Sequence, residues 1–186
     1  MKKFILLFAS VASLFSGCSE YIVGYDASTL EHLCRINYTS LTKIDVDLFC
    51  CDAELIGHTW EDGVGTLYFN KDITVVRDDA FHNCSSLISV TIPDSVTSIG
   101  DNAFYYCTSL ESITIPDNVT SIGRYAFSYC SSLTRVYCKA TTPPTGGYYM
   151  FGNNASGRKI YVPKESVNAY KNAKYWRDYW IVGYNF

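Results

Sequence analysis

The chain has 186 residues, a formal net charge of −3 and a pI near 5.5, with 48% hydrophobic and 18% charged residues. That length suits one domain, and the apolar share is that of a folded chain rather than a disordered one. The acidic balance, with no basic cluster, argues against nucleic acid as a partner.

Residues 1–17 come first. Lys2 and Lys3 form a positive start, and the apolar run from Phe4 to Phe15 is too short to span a bilayer. The segment therefore reads as a secretory signal, and no later stretch is long and apolar enough to cross a membrane. It ends in Leu14-Phe15-Ser16-Gly17-Cys18. Small residues before a cysteine resemble a bacterial lipobox, in which Cys18 becomes the acylated first residue of the mature chain. Phe15 stands where leucine is usual. The plainer alternative is ordinary cleavage near Gly17, with Cys18 unmodified. Loss of Lys2 and Lys3 moves the formal charge from −3 to −5.

Residues 18–63 are expected to form an N-terminal cap. Tyr38 to Phe49 is strand-like, through Leu41, Ile44, Val46 and Leu48. Glu61-Asp62-Gly63 suits a turn into the first repeat, so a hairpin fits this region.

Residues 64–138 organise the chain. Phe81, Phe104 and Phe127 recur with a period of 23, as do Cys84, Cys107 and Cys130, and two successive units agree at 16 of 23 positions. A fixed period of this size marks a solenoid. Within a unit, Leu87, Val90 and Ile92 read as the inward residues of a strand and Thr91 as outward. Pro93 ends that strand, since it has no N–H to donate. Val96 and Ile99 return to the core, and Gly100 and Gly123 allow an unusual backbone angle. Asp101 suits the cap of a short helical turn carrying Phe104 and Cys107. Subtracting or adding the period gives four strand rungs, at 64–69, 87–92, 110–115 and 133–138. One unit buries too little to fold alone, so stacking must stabilise it and the ends need caps.

The units AFHNCSSLISVTIPDSVTSIG and AFYYCTSLESITIPDNVTSIG resemble the BspA-like leucine-rich repeat family, common in surface proteins of Bacteroidetes. The tail KIYVPKESVNAYKNAKYW resembles the module that often closes such arrays. The resemblance implies a mainly β repeat solenoid with short helical turns, an N-terminal β cap and a C-terminal strand-helix cap. It also implies an exported protein linked with adhesion to host matrix proteins or other cells.

Residues 139–186 are expected to form that closing module. Pro143-Pro144 and Gly146-Gly147 interrupt the pattern as a flexible loop, and Met150-Phe151 supplies the next aromatic plug after a short insertion. Lys159 to Val162 reads as a strand, Glu165 to Tyr175 as a helix, and Trp176, Tyr179, Trp180 and Ile181 as an aromatic end-piece.

Candidate chemistry is sparse. Cys84, Cys107 and Cys130 form one column whose parallel side chains suit buried small hydrophobes. Cys34, Cys50 and Cys51 leave room for one disulfide in the N-terminal cap. Asp45, Asp47, Asp52 and Glu54 form a loose acidic cluster, read first as a solvated face and second as a calcium site. There is no C-x-x-C, no His-Glu motif and no Gly-rich phosphate loop, so neither an enzyme nor a cofactor is expected.

The candidate ligand face is the outward side of the rungs. One column is Tyr68, Thr91, Thr114 and Tyr137, a second is Thr66, Ser89, Ser112 and Arg135, and a third is Gly65, Ile88, Glu111 and Thr134. Tyr137 and Arg135 are its best anchors. Four rungs at about 4.8 Å would span only about 15 Å. Tyr105, Tyr106, Tyr125 and Tyr129 on the turns form a rival surface. The reading is an exported, lipid-anchored binding module, without catalysis, for a surface or extracellular protein or glycan. The alternative is a structural or assembly component of the cell envelope acting through self-association.

Overall fold

The computed structural model describes residues 33–44 and 50–186; residues 1–32, with the expected signal segment and Cys18, and residues 45–49 lie outside them. The repeat winds into a mainly β solenoid of three walls. The first wall is a row of strands: β5 (Leu87–Val90), β7 (Ser112–Ile115), β9 (Arg135–Cys138) and β11 (Lys159–Pro163). Ile113 lies beside Val136, and Val136 beside Ile160, in parallel pairing. The β5 strand joins β7 through Thr91 beside Thr114, and the Glu111 N–H donates to the Ile88 carbonyl at 3.2 Å. The second wall is a ladder of two-residue parallel strands: β4 (Val75–Val76), β6 (Ser98–Ile99), β8 (Ser121–Ile122) and β10 (Thr145–Gly146). Alternation sends Leu87, Val90, Val96 and Ile99, with their counterparts in later coils, into the space between.

The third wall is a stack of turns that carries Phe81, Phe104, Phe127 and Phe151. Their rings lie face to face at 4.9, 5.0 and 5.3 Å between centroids. Short helical turns capped by Asp101 were the expectation here. Instead the turn N–H groups alternate: Phe81 donates to the Ala103 carbonyl and Phe104 to Ala126 of the next coil, each at 2.7 Å, while His82 and Cys84 bond back within the turn to Asp79 and Phe81 at 3.0 and 3.2 Å. Asp101 likewise serves its neighbour, since Oδ1 accepts the Arg124 N–H at 2.6 Å and Oδ2 meets the Arg124 guanidinium at 3.0 Å. Asp78 accepts the Asp101 N–H at 2.7 Å, one coil earlier. The glycines also have another role than expected. Gly100 and Gly123 do not have positive φ; a Cβ on Gly100 would come within 2.5 Å of the Asp78 nitrogen, and one on Gly123 would meet the Asp101 nitrogen. They allow adjacent coils to touch.

The left-handed backbone falls elsewhere, in two columns. Asp79, Asn102, Tyr125 and Tyr149 have φ of 58°, 55°, 56° and 56°, and Asn83, Tyr106, Tyr129 and Asn153 have 60°, 60°, 60° and 51°. Asparagine and aspartate tolerate that conformation, but a tyrosine in it is an outlier.

The cysteine column is as expected. The seven cysteines among the described residues are thiols. Cys107 and Cys130 donate S–H to the carbonyls of Phe81 and Phe104, each at 3.1 Å. Burial pushes the Cys130 thiol up to about 12 and Cys138 up to about 11, and it raises Cys107 as well. None of these is a nucleophile at neutral pH. Cys34, Cys50 and Cys51 form no disulfide. The Cys50 and Cys51 sulfurs lie 3.7 Å apart, and this contact, with burial, raises the Cys51 thiol.

The N-terminal cap corrects the rung count. β2 (Leu55–Glu61) and β3 (Val64–Phe69) form an antiparallel hairpin. Asp62 and Gly63 make its turn with φ of 48° and 84°, the two positive angles a tight twisted hairpin needs. However, β3 does not lie beside β5. β1 (Cys34–Ser40) inserts between them, antiparallel to both. Its Ile36 and Tyr38 are buried. The Tyr38 ring packs so closely over Gly65 that a Cβ there would overlap it, and its hydroxyl bonds His58 Nε2 at 2.6 Å. Of the strand expected over Tyr38 to Phe49, Tyr38 to Ser40 belong to β1, residues 41–44 do not continue it, and residues 45–49 lie outside the described residues.

The stretch 139–158 was expected to interrupt the repeat; it forms another coil. Thr145 lies beside Ser121 and Gly146 beside Ile122, so Pro143-Pro144 leads into β10 rather than a flexible loop. Phe151 comes one position later than the period from Phe127 would place it. A 3-10 turn at Lys164–Ser166 and the short helix α1 (Val167–Asn172) come next, in place of a helix from 165 to 175. β12 (Ile181–Tyr184) closes the sheet parallel to β11.

Candidate functional site

Lateral pairing shows which residues share the outward face. The Thr91 N–H donates to the Asn37 carbonyl at 2.8 Å, and Asn37 lies beside Thr66, which lies beside Thr59. In the other direction Thr91 leads to Thr114, Tyr137, Tyr161 and Val182. One outward column thus runs unbroken across eight strands, about 34 Å at about 4.8 Å per strand. The parallel column holds Thr39, Ser89, Ser112, Arg135 and Lys159, with Thr39 and Ser89 hydroxyls bonded at 2.8 Å.

The expected columns hold for the middle coils and fail at β3. Thr91, Thr114 and Tyr137 are adjacent, and Arg135 and Glu111 are exposed on the same wall. Tyr68 is displaced: it lies beside Arg35, not in line with Thr91, and is only 8% exposed. Gly65 is buried under Tyr38. The cause is β1, which shifts the pairing so that Thr66 takes the place in line with Thr91.

Several residues of this face were not anticipated. The Tyr161 ring stacks on Tyr137 at 4.9 Å, and Tyr184 meets both edge-on at 5.5 and 5.6 Å. The Lys159 ammonium lies 4.9 Å from the Trp180 ring. Tyr161 and Lys159 follow Tyr137 and Arg135 with the same one-position delay as Phe151, and that delay is the signal that would have found them.

The turn tyrosines form a separate tract. Tyr106 stacks on Tyr129 at 4.8 Å, and Tyr105 meets both edge-on. Tyr125 then contacts Tyr148 and Tyr149. The tract ends at a cleft of about 430 Å³ between the last coil and the C-terminal segment. Arg158 lies in its wall, its guanidinium 4.8 Å from the Tyr179 ring and 5.6 Å from Phe151. Nη1 donates to the Phe151 carbonyl at 2.6 Å. Nε is buried without an acceptor, as is Asn154 Nδ2. Burial lowers the arginine's pKa and raises that of Tyr179.

The acidic cluster is structural where it is described. Asp52 accepts the N–H groups of Thr74 and Val75 at 2.9 and 3.0 Å and the Thr74 hydroxyl at 2.6 Å. Burial would raise its pKa, but these hydrogen bonds outweigh it and hold the carboxyl below its usual value. Glu54 accepts from Asn70 Nδ2 at 3.1 Å. Asp45 and Asp47 lie outside the described residues. Among the described residues no three His, Cys, Asp or Glu side chains are grouped to hold a metal.

A profile of the BspA type leucine-rich repeat region matches residues 60–177, in 6 copies. The chain belongs to the BspA-type leucine-rich repeat family. The match begins at the end of β2 and runs to the turn after α1, so the coil at 139–158 counts among the repeats of this BspA-type protein. Membership makes it a protein-interaction module in general terms. Comparison with curated proteins finds no match.

Proposed function

We propose that this BspA-type protein is an exported, lipid-anchored binding module of the cell surface. It is held through Cys18 and recognises a surface or extracellular protein or glycan through the outward face of its long sheet, without catalysis. The observation that carries this reading is the unbroken outward column from Thr59 to Val182, ending in the aromatic group of Tyr137, Tyr161 and Tyr184 beside Arg135 and Lys159. Tyrosine and arginine are the residues that dominate binding hot spots. A strip of about 34 Å by about 13 Å is about 400 Å², half of what one partner contributes to a standard interface. Each contact is therefore weak, and many anchored copies raise the avidity.

The test begins with capture of a ligand from host extracellular material. Tyr137→Ala combined with Arg135→Ala is expected to weaken its binding at least about tenfold, as loss of two anchors should. Tyr105→Ala, on the turn wall, should leave it unchanged. The reverse pattern would refute the face.

Anchoring is tested separately. Cys18→Ser is expected to move the protein from the membrane fraction to the soluble exported fraction with no change in melting temperature. Mass spectrometry of the mature N-terminus decides the point, because an unmodified first residue rules out the lipid anchor. Among the described residues no helix is long and apolar enough to cross a membrane.

A further inference from the structure

We propose that the cleft between the last coil and the C-terminal segment is a second binding site, for a carboxylate-bearing sugar residue, in which Arg158 pairs the acid and Tyr149 and Tyr175 hold the ring. The cleft is built from turns and not from the outward sheet columns, so the proposal stands apart from the sheet-face reading.

Charge is the first argument. Arg158 is partly buried and its Nε is buried without an acceptor, yet among the described residues its guanidinium meets no carboxylate and donates only to the Phe151 carbonyl. A buried cation without a counter-ion is costly, more than a residue kept for packing should bear. The contact with the Tyr179 ring and the hydrogen bond to the Phe151 carbonyl hold the guanidinium in place, so part of the ordering cost of a bond to a carboxylate is already met. Asp178 also lines the cleft. It tempers the positive field, which suits a single carboxylate better than a phosphate dianion, and it offers an acceptor for sugar hydroxyls.

The lining is the second argument. It is aromatic and polar throughout, with Tyr148, Tyr149 and Tyr175 against Asn153 and Asn154, and without a single Leu, Ile, Val or Met. A purely aliphatic ligand would leave the amides and the guanidinium unpaired, whereas a sugar presents C–H groups to rings and hydroxyls to amides. Tyr148 and Tyr149 are 49% and 46% exposed at the mouth. A volume of about 430 Å³ lies within the range of small-ligand sites.

Backbone strain is the third. Tyr149 has φ of 56° at the place where earlier coils put Asp79, Asn102 and Tyr125. A bulky residue in that conformation costs stability, and such residues cluster at ligand sites. Of the two left-handed tyrosines in this column, Tyr149 is the one that lines the cleft.

The experiment is calorimetric titration of the full chain with methyl glucuronide, methyl glucoside, sodium acetate and inorganic phosphate. The glucuronide is expected to bind at least about tenfold more tightly than the other three, since only it satisfies both the guanidinium and the rings. Arg158→Gln and Tyr149→Ser should each weaken the glucuronide about tenfold. Arg158 packs on Phe151 and Tyr179, so its variant is read only if it melts cooperatively; Tyr149 is half exposed, and its variant should melt like the parent and keeps the test decisive. Equal binding of glucoside would overturn the role of the acid, and equal binding of acetate that of the ring. Tighter binding of phosphate, or a glucuronide affinity that Tyr149→Ser leaves unchanged, would overturn the site.

Discussion

Phe104→Ala is expected to destabilise the protein by about 3–5 kcal/mol. The ring is fully buried and lies between Phe81 and Phe127 at 4.9 and 5.0 Å, nearly parallel to both. Its removal leaves a cavity with a ring on either side, and neither neighbour can move in, because each is tied to its own coil. The Phe81 N–H is held by the Ala103 carbonyl and the Phe104 N–H by Ala126, so the walls of the cavity are fixed. The coils also share stability through their interfaces, so a defect in the middle weakens both halves. Urea unfolding would read the effect as a lower midpoint. Tyr106→Asn is the natural contrast. It loses a stacked ring but relieves a left-handed tyrosine, two terms of about 1 kcal/mol that oppose each other. A Phe104 variant no less stable than the Tyr106 one would mean that the aromatic column does not carry the core.

The middle coils were legible because one local rule repeats. Leu87, Val90 and Ile92 alternate, Pro93 stops the strand, and the same set recurs one period later, so register follows from counting. Counting failed at β3 for a physical reason. Val64, Leu67 and Phe69 match the period, and Leu67 and Phe69 are buried as expected. Yet alternation states only which way a side chain faces, not which strand lies beside it. Ile36 and Tyr38 alternate equally well, and β1 took the place next to β5. Tyr68 and Gly65 lost their assigned positions with it.

At the other end the obstacle was composition. Pro143-Pro144 and Gly146-Gly147 look like a loop, but proline occupies a turn that every coil has, and Gly147 lies where Gly123 and Gly100 do, touching the coil before it. One extra residue then hid Tyr161 and Lys159 from the count. The cleft was not legible at all. Arg158 and Tyr149 come from the last coil while Tyr175 and Asp178 follow α1, and no short motif joins them. The left-handed columns were half visible: Asn83 and Asn102 suit such a backbone, whereas Tyr125 and Tyr149 conceal it.

Trp176→Ala should also cost about 3–5 kcal/mol, although it lies outside the regular coils. A solenoid exposes its core at each end, and Trp176 covers the C-terminal one. The side chain is fully buried, with its ring 6.0 Å from Phe151, the last of the stacked column, and edge-on to Tyr170 at 4.9 Å. Its Nε1–H donates to the Pro144 carbonyl at 2.7 Å. Tyr170 fixes the same corner, since its hydroxyl donates to the Ala140 carbonyl at 2.8 Å. The tryptophan thus ties the turn after α1 to the coil at 139–158 by both packing and a buried hydrogen bond. Trp176→Phe separates the two. It keeps most of the apolar bulk but leaves the Pro144 carbonyl without this donor, at a cost of about 1–3 kcal/mol. The order expected in thermal and urea unfolding is therefore wild type, then phenylalanine, then alanine. If both variants melted with the parent, the aromatic column would end at Phe151 without needing a lid. If phenylalanine were as damaging as alanine, the hydrogen bond to Pro144, rather than the ring, would be what closes the solenoid.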